Sequence, residues 1–540
     1  MSDMTPIVNP ILRGFHPDPS WMWHDGRAWL VTSSFGLVPG LPIHTSTDLA
    51  HWQREGAAID EEMAKKLFLA YIDSDDHGVF APSIRMIGDA MVIVSTVVRV
   101  NEQRALENGA DPAQIEAMHN ANGNFALVSH DHGHSWEGPH WINGARGNDP
   151  DVFIDTDGTS WWVCSHQSDN PQWRFQSDIV IRRLNLDTWS LEGPEHVLWH
   201  GALEGATWAE SPHILRHDGQ YYLLAAEAGT ERHHAQTVAR SRELIAMYEG
   251  NPRNPILTHR HLGERFPVQN VGHCDLLQDN DGRWWGVCLG SRIVDGYSFM
   301  GREPMVFPVT WEHDWPVFAP GSGLVPHVVN TDDGGYSPVS TGTSETTVTD
   351  TPTESWHTTT VSDDNIIQLP WQHGWQWAKV DTVDFSVILN PVAANEARIQ
   401  QDRNRYAALV ADCERGIIQA IIHDAKNADE LIYEGTLDAN TDYVIRLNGT
   451  TIEFRKESHN SAYKQASATD MPNTTMADLP AALTIRRGSQ QSFNITAGGW
   501  PVLHANSKAP TGSELFATHD ATFLSTESAG GYVGCLAGIR

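Results

Sequence analysis

Cysteine is scarce in this chain of 540 residues. Its five copies, Cys164, Cys274, Cys288, Cys413 and Cys535, are odd in number and form no close pair. That excludes a disulfide framework of the kind that staples small secreted domains. There is no CxxC and no HExxH, and the 28 His are scattered, so no metal site stands out. The trio His130, His132 and His134 brackets Gly133 in a polar stretch and reads as an exposed turn. Basic residues are few: 36 Lys and Arg against 68 Asp and Glu, a formal charge of −32. Such a surface repels the phosphates of nucleic acid and of anionic membranes, and it suits a neutral ligand. No run approaches the ~20 apolar residues of a membrane span. The opening MSDMTPIVNP has neither a basic start nor an apolar core, so no signal peptide is expected and the cytoplasm is the expected location. The sequence leaves open whether copies associate as a homo-oligomer.

What is abundant is tryptophan and a repeat. The 21 Trp exceed what a core needs, and Trp faces stack well on sugar C–H groups, although most of them are expected to pack between β units. The repeat appears five times, as DPSWMWHDGRAWLVTSS, APSIRMIGDAMVIVST, DPDVFIDTDGTSWWVCSH, ESPHILRHDGQYYLLAAEAGT and HCDLLQDNDGRWWGVCLGSR. Each copy is an apolar run, a tight Gly turn and a second apolar run, which is hairpin chemistry. The turn glycines are Gly26, Gly88, Gly158, Gly219 and Gly282, spaced 62, 70, 61 and 63 residues apart. A near-constant period of β units predicts an all-β fold with a five-bladed propeller over residues 1–325. Ala64–Ala70 and Glu102–Met118 read as helical or loop insertions. Residues 326–361, rich in Ser, Thr, Asp and Gly, read as a linker or crossing segment. Over 362–540, short β-forming runs such as YAALVAD and DYVIRLNG predict an antiparallel β-sandwich.

The register of the repeat bears on chemistry. Asp18, Asp149 and Glu210 open the first strand of copies one, three and four, with Ala81 and His273 in the matching places of copies two and five. First strands of propeller blades converge on the axis, so the acids are expected to share one cavity. Any one of them alone reads as turn chemistry. Three together repel each other and lose water, which separates their pKa values. A protonated carboxyl facing an ionised one is what glycoside hydrolysis requires.

The motifs NPILRGFHPDPS, GNDPDVFIDTDG, AESPHILRHDGQYYLLAAEAGT, VGHCDLL and LGSR, in this order, resemble glycoside hydrolase family 43, in particular its two-domain β-xylosidases and α-L-arabinofuranosidases. The resemblance implies an inverting exo-glycosidase with Asp18 as general base, Glu210 as general acid and Asp149 as the residue that raises and orients Glu210. It also implies substrate contacts from His16, Phe35, Phe80, His273 and Arg292. His273 would be packed on the axis, or hold a water or a calcium ion there; no other cofactor is implied. Where xylosidases of the family read SSFEWFPG and VWAP, this chain reads SSFGLVPG and VFAP, with Gly36, Leu37 and Phe80 at the changes. These departures favour arabinofuranosyl units of neutral arabinoxylan-derived oligosaccharides, with β-xylosidase as the alternative. Retaining sucrose and fructan hydrolases would read Arg-Asp-Pro and Glu-Cys where this chain has NDP and ES. A non-catalytic sugar-binding propeller would be expected to lose at least one of the acids.

Overall fold

A computed structural model describes residues 6–329 apart from 73–76, 264–265 and 294–300, and beyond them chiefly the strands of the C-terminal part. The chain is all-β, with short helices between strands. Five four-stranded antiparallel sheets follow one another between residues 20 and 318, each in simple sequential order. Their first strands are Ser20–His24, Gly78–Ile87, Asn148–Ile154, Glu210–His217 and Val268–Gln278. The five glycines expected to turn each first strand into its second do so, with φ between 64° and 83°, a region that disfavours residues with a Cβ.

Burial explains the sequence pattern of the strands. Second strands such as Ala90–Val98 (AMVIVSTVV) and Trp284–Arg292 (WWGVCLGSR) are enclosed on both faces, so they read as continuous apolar runs rather than alternating ones. Outer strands such as Gln53–Ile59 and Glu137–Trp141 stay partly open to water and carry charge. Trp21, Trp29 and Trp162 are among the largest fully buried side chains, which is the packing role expected of most Trp.

The insertions are helical. Glu61–Lys66 is capped by Asp60, whose carboxylate accepts from the Met63 amide, and its acids and bases sit at the ends that suit the helix dipole. Glu102–Glu107 and Pro112–Asn120 lie between the second and third strands of the second sheet. Asp111 caps the latter, with Pro112 in its first turn.

Residues 326–361 differ from a plain linker at their start. Val328–Val329 pairs with Ile7–Val8, and Tyr336–Ser337 adds to it, because two adjacent β-branched residues complete a ladder with the N-terminal strand. The remainder of that segment lies outside the described residues. Farther on, two six-stranded sheets form, one containing Arg405–Asp412 and Ile417–Asp424, the other Thr441–Asn448 and Thr451–Ser458. Within 362–540, a further β-forming run, SFNITA, lies outside the described residues.

Candidate active site

All five first strands carry the same backbone device, just before the strand in the first sheet and within it in the other four. Asp18, Ala81, Asp149, Ser211 and His273 have φ between 37° and 55°, in the left-handed region that costs a non-glycine residue about 1–3 kcal/mol. In four of the five the next residue is proline (Pro19, Pro82, Pro150 and Pro212); Cys274 takes that place in the fifth. Pairing with the second strand slips at this point in sheets two to five. The device corrects the expected register of the repeat. Ser211, not Glu210, is the counterpart of Asp18 and Asp149, and Glu210 stands one place earlier, beside the level of Phe80, Asn148 and Gly272. In sequence the carboxyl of Glu210 stood in for the true register mark, which is the residue before proline.

The three acids nonetheless lie within electrostatic reach of one another: the charges of Asp149 and Asp18 act on Glu210, and that of Asp18 acts on Asp149. Asp18 is 5% exposed and Asp149 8%, while Glu210 is half-buried. Burial pushes Asp18 up, but the Arg302 guanidinium, His273 and the Ser33 hydroxyl outweigh it and hold Asp18 below the ordinary carboxylate range. Arg302 Nη1 donates to Asp18 Oδ1 at 2.8 Å, and Ser33 Oγ donates to Oδ2 at 2.7 Å. Asp149 accepts from the Asn148 amide at 2.7 Å and from the Ser211 backbone at 3.0 Å. Burial is the main cause that lifts it to about 6. Glu210 is pushed up to about 8, first by burial, then by the charges of Asp149 and Asp18. Near neutral pH these shifts leave Asp18 ionised and favour the protonated form of Glu210.

The expected substrate contacts separate into two groups. Phe35 and Phe80 pack with ring centroids 4.7 Å apart, and Arg302 lies over Phe35 at 5.4 Å. Gly78 is required there: a Cβ on it would fall 2.3 Å from the Phe35 carbonyl carbon, and its φ is +122°. His273 Nδ1 is 3.6 Å from Asp18 Oδ1, and its ring is held to about 3, mainly by burial, so it is neutral. His16 and Arg292 behave otherwise. His16 has no exposed surface, sits edge-on to His44, and donates its backbone amide to Arg302 O; it supports Arg302 from behind. Arg292 donates to both oxygens of the buried Glu303, at 2.6 and 2.7 Å, and Glu303 also accepts from the Gly14 amide. The cation that reaches Asp18 is Arg302, which sequence reading missed. Its only signal was a charged pair, Arg302-Glu303, opening an otherwise apolar strand.

A calcium ion takes six to eight oxygen ligands. The groups acting on His273 are Asp18, His213, His234 and Arg302, and the Asp18 oxygens are already engaged by Arg302 and Ser33. This set is rich in nitrogen, and its one carboxylate is already engaged, so it offers few of the oxygen donors that calcium prefers. Among the described residues, His24, Asp25 and His132 form a group with metal-ligating atoms within 4.8 Å of one another. His24 and Asp25 stand at the turn at the opposite end of the first sheet from Asp18, and His132 on the turn between the third and fourth strands of the second sheet.

Beneath the acids lies a second polar layer. Two residues past the left-handed position stand Ser20, Ser83, Asp151, His213 and Asp275. Arg85 donates to Asp151 at 2.7 Å and to Asp275 at 2.9 Å, His213 Nδ1 lies 2.8 Å from Asp151, and Ser20 and the Trp21 amide donate to Asp275. One buried cluster therefore joins first strands from all five sheets.

Among known proteins, the chain is 38% identical to a xylosidase/arabinosidase of Butyrivibrio fibrisolvens over 60% of its own length and 58% of that protein. It is 31% identical to the non-reducing end α-L-arabinofuranosidase BoGH43B of Bacteroides ovatus, over 57% and 52% respectively, and 31% identical to a Vibrio xylan 1,3-β-xylosidase, over 60% and 59%. The alignments thus span little more than half the length of these relatives. The solved structure of Bacteroides ovatus xyloglucan PUL GH43B shares the fold with a TM-score of 0.68 at 20% identity, covering 99% of this chain and 96% of that one. The family model described as glycosyl hydrolases family 43 matches residues 7–316, and the chain belongs to that family.

Proposed function

We propose that this protein is an inverting exo-glycosidase that releases terminal α-L-arabinofuranosyl units from neutral arabinoxylan-derived oligosaccharides. The observation that carries the reading is the opposite shift of two neighbouring carboxyls: Asp18 is held low by Arg302 and Ser33, and Glu210 is pushed up to about 8 by burial and the charges of Asp149 and Asp18. Asp18 removes a proton from a water as that water attacks the anomeric carbon. Glu210 donates its proton to the departing glycosidic oxygen, and the C–O bond breaks with the electron pair going to that oxygen. Asp149 keeps Glu210 protonated through its charge. The five sheets act in this reading as blades of a closed propeller, supported by the contact of Ser20 and Trp21 in the first sheet with Asp275 in the fifth. The two C-terminal sheets serve as an accessory sandwich.

The names of the Butyrivibrio and Bacteroides relatives support a pentosidase, and the loss of an acidic and an aromatic side chain at Gly36 and Leu37 supports arabinofuranose. The β-xylosidase alternative draws on the name of the Vibrio relative. Proton NMR during turnover of an arabinoxylan oligosaccharide tests both parts. Arabinose should appear first, with its anomeric configuration inverted. Faster xylose release from xylobiose than arabinose release from any branched oligosaccharide overturns the specificity; a retained first anomer overturns the mechanism.

The pH profile follows from the same pair. Activity needs Asp18 ionised and Glu210 protonated, so kcat/KM should hold through neutrality and fall as pH rises past about 8, where Glu210 loses its proton. Removing the Asp149 charge lowers the Glu210 pKa, so Asp149→Asn should move the alkaline limb to lower pH. A limb that stays in place or moves upward contradicts the role given to Asp149.

A further inference from the structure

Among the described residues, large aromatic side chains at the surface are uncommon, and two of them, Phe175 at 36% and Trp208 at 37% exposed, stand together. Their rings are 5.3 Å apart at 33°. Topology puts both at the end of the sheets where the acids begin. Trp208 lies two residues before Glu210. Phe175 lies in the loop from Gln167 to Ser177, which joins the strand ends facing Asn148, beside Asp149.

The pair is held in place from several sides. The Trp208 amide donates to Phe175 O at 2.9 Å, and Trp173 Nε1 donates to Ala206 O at 2.6 Å, which ties the two loops together. The Ala228 amide donates to Thr207 O at 2.8 Å. The Trp208 ring rests against Gly229, where an added Cβ would lie 3.5 Å from it, and Arg174 covers Phe175 at 4.4 Å. Both residues hold left-handed backbone, with φ of 61° and 47°, an energetic cost for bulky side chains that the surrounding contacts maintain. A rigid aromatic face, kept open to solvent against the hydrophobic preference, is a surface built to meet a ligand.

Its place relative to Glu210 identifies which part of the ligand. The general acid must touch the glycosidic oxygen, the boundary between the sugar released and the rest of the substrate. On one side of that boundary the site is closed, with Phe35 at 2%, Asp18 at 5% and His273 at 5% exposure. Trp208, two residues before Glu210, is exposed by contrast. We propose that Trp208, backed by Phe175, is the platform on which the sugar ring of the leaving group stacks. The reading rests on the pentosidase function proposed above and adds to it the residue that recognises the aglycone as a pyranose ring of a neutral oligosaccharide.

The test compares substrates with and without a leaving-group sugar. For Trp208→Ala, kcat/KM on an arabinoxylan or xylan oligosaccharide should fall roughly tenfold, the size of one lost stacking contact. On the corresponding pentosyl fluoride, which has no sugar to seat, it should stay within about twofold of the parent. Trp208→Phe should recover most of the loss. Equal losses on both substrates, or no loss on the oligosaccharide, overturn the proposal. Calorimetric titration of the full chain with xylotriose separates it from the fate of the pentosidase reading. If the parent protein hydrolyses neither substrate, that reading fails, while weaker xylotriose binding by Trp208→Ala still supports the platform and unchanged binding overturns it.

Discussion

Glu210→Ala should lower kcat on natural pentosyl linkages by about 10²–10⁴-fold, the usual worth of a positioned general acid. The cause is specific. A sugar alkoxide is a poor leaving group, and within the cavity Glu210 is the carboxyl lifted furthest, to about 8, so it is the one that retains a proton at neutral pH. An aryl pentoside with a nitrophenolate leaving group needs little proton donation, and its chemical step should lose far less. The check is a leaving-group series in the parent and the variant: rate should depend steeply on leaving-group pKa only after substitution. Equal losses across the series would remove Glu210 from the role of acid.

Arg85→Met should cost about 3–5 kcal/mol of stability, the range for leaving buried charges without their partner. Asp151 and Asp275 are 1% and 4% exposed at the side chain, and Arg85 is the cation that bridges them. Burial alone would lower the Arg85 pKa; the two carboxylates reverse that and keep it charged, and Arg85 in turn keeps Asp275 low. Because this cluster draws on all five first strands, its loss should lower the denaturant midpoint of the transition in which the five sheets unfold. A change under about 1 kcal/mol would show that the sheets hold without it. Arg85→Lys keeps the charge but not the two-pronged geometry and should fall between.

The extent to which these features are visible in sequence depends on how local they are. The hairpin glycines are, because a positive-φ turn is written in two or three adjacent residues, and all five stand where the repeat places them. The insertion within the second sheet is visible through Asp111-Pro112, and the helix between the first and second sheets through the charges of Glu61–Lys66. The acids of the site announce themselves by type. Their register does not: Glu210 resembles Asp18 and Asp149 chemically, whereas the backbone counts from the residue before proline, which is Ser211. Arg292 seemed free for substrate because its partner Glu303 is eleven residues away on the next strand. Arg302 and Arg85 act across 284 and up to 190 residues of sequence, distances over which no periodicity survives.

The left-handed step that each first strand carries has an evolutionary consequence. Its shape is fixed by backbone and, in four cases, by the following proline, and the occupants Asp, Ala, Asp, Ser and His share no chemistry. Five sockets of one form therefore accept different side chains without a new scaffold for each. Folding and reactivity are written on separate residues, so a lineage can exchange what stands in a socket while the architecture beneath it endures. Ala81 and Ser211 are the two of these five sockets whose present occupants neither titrate nor carry charge, and they mark where such exchange meets the least resistance.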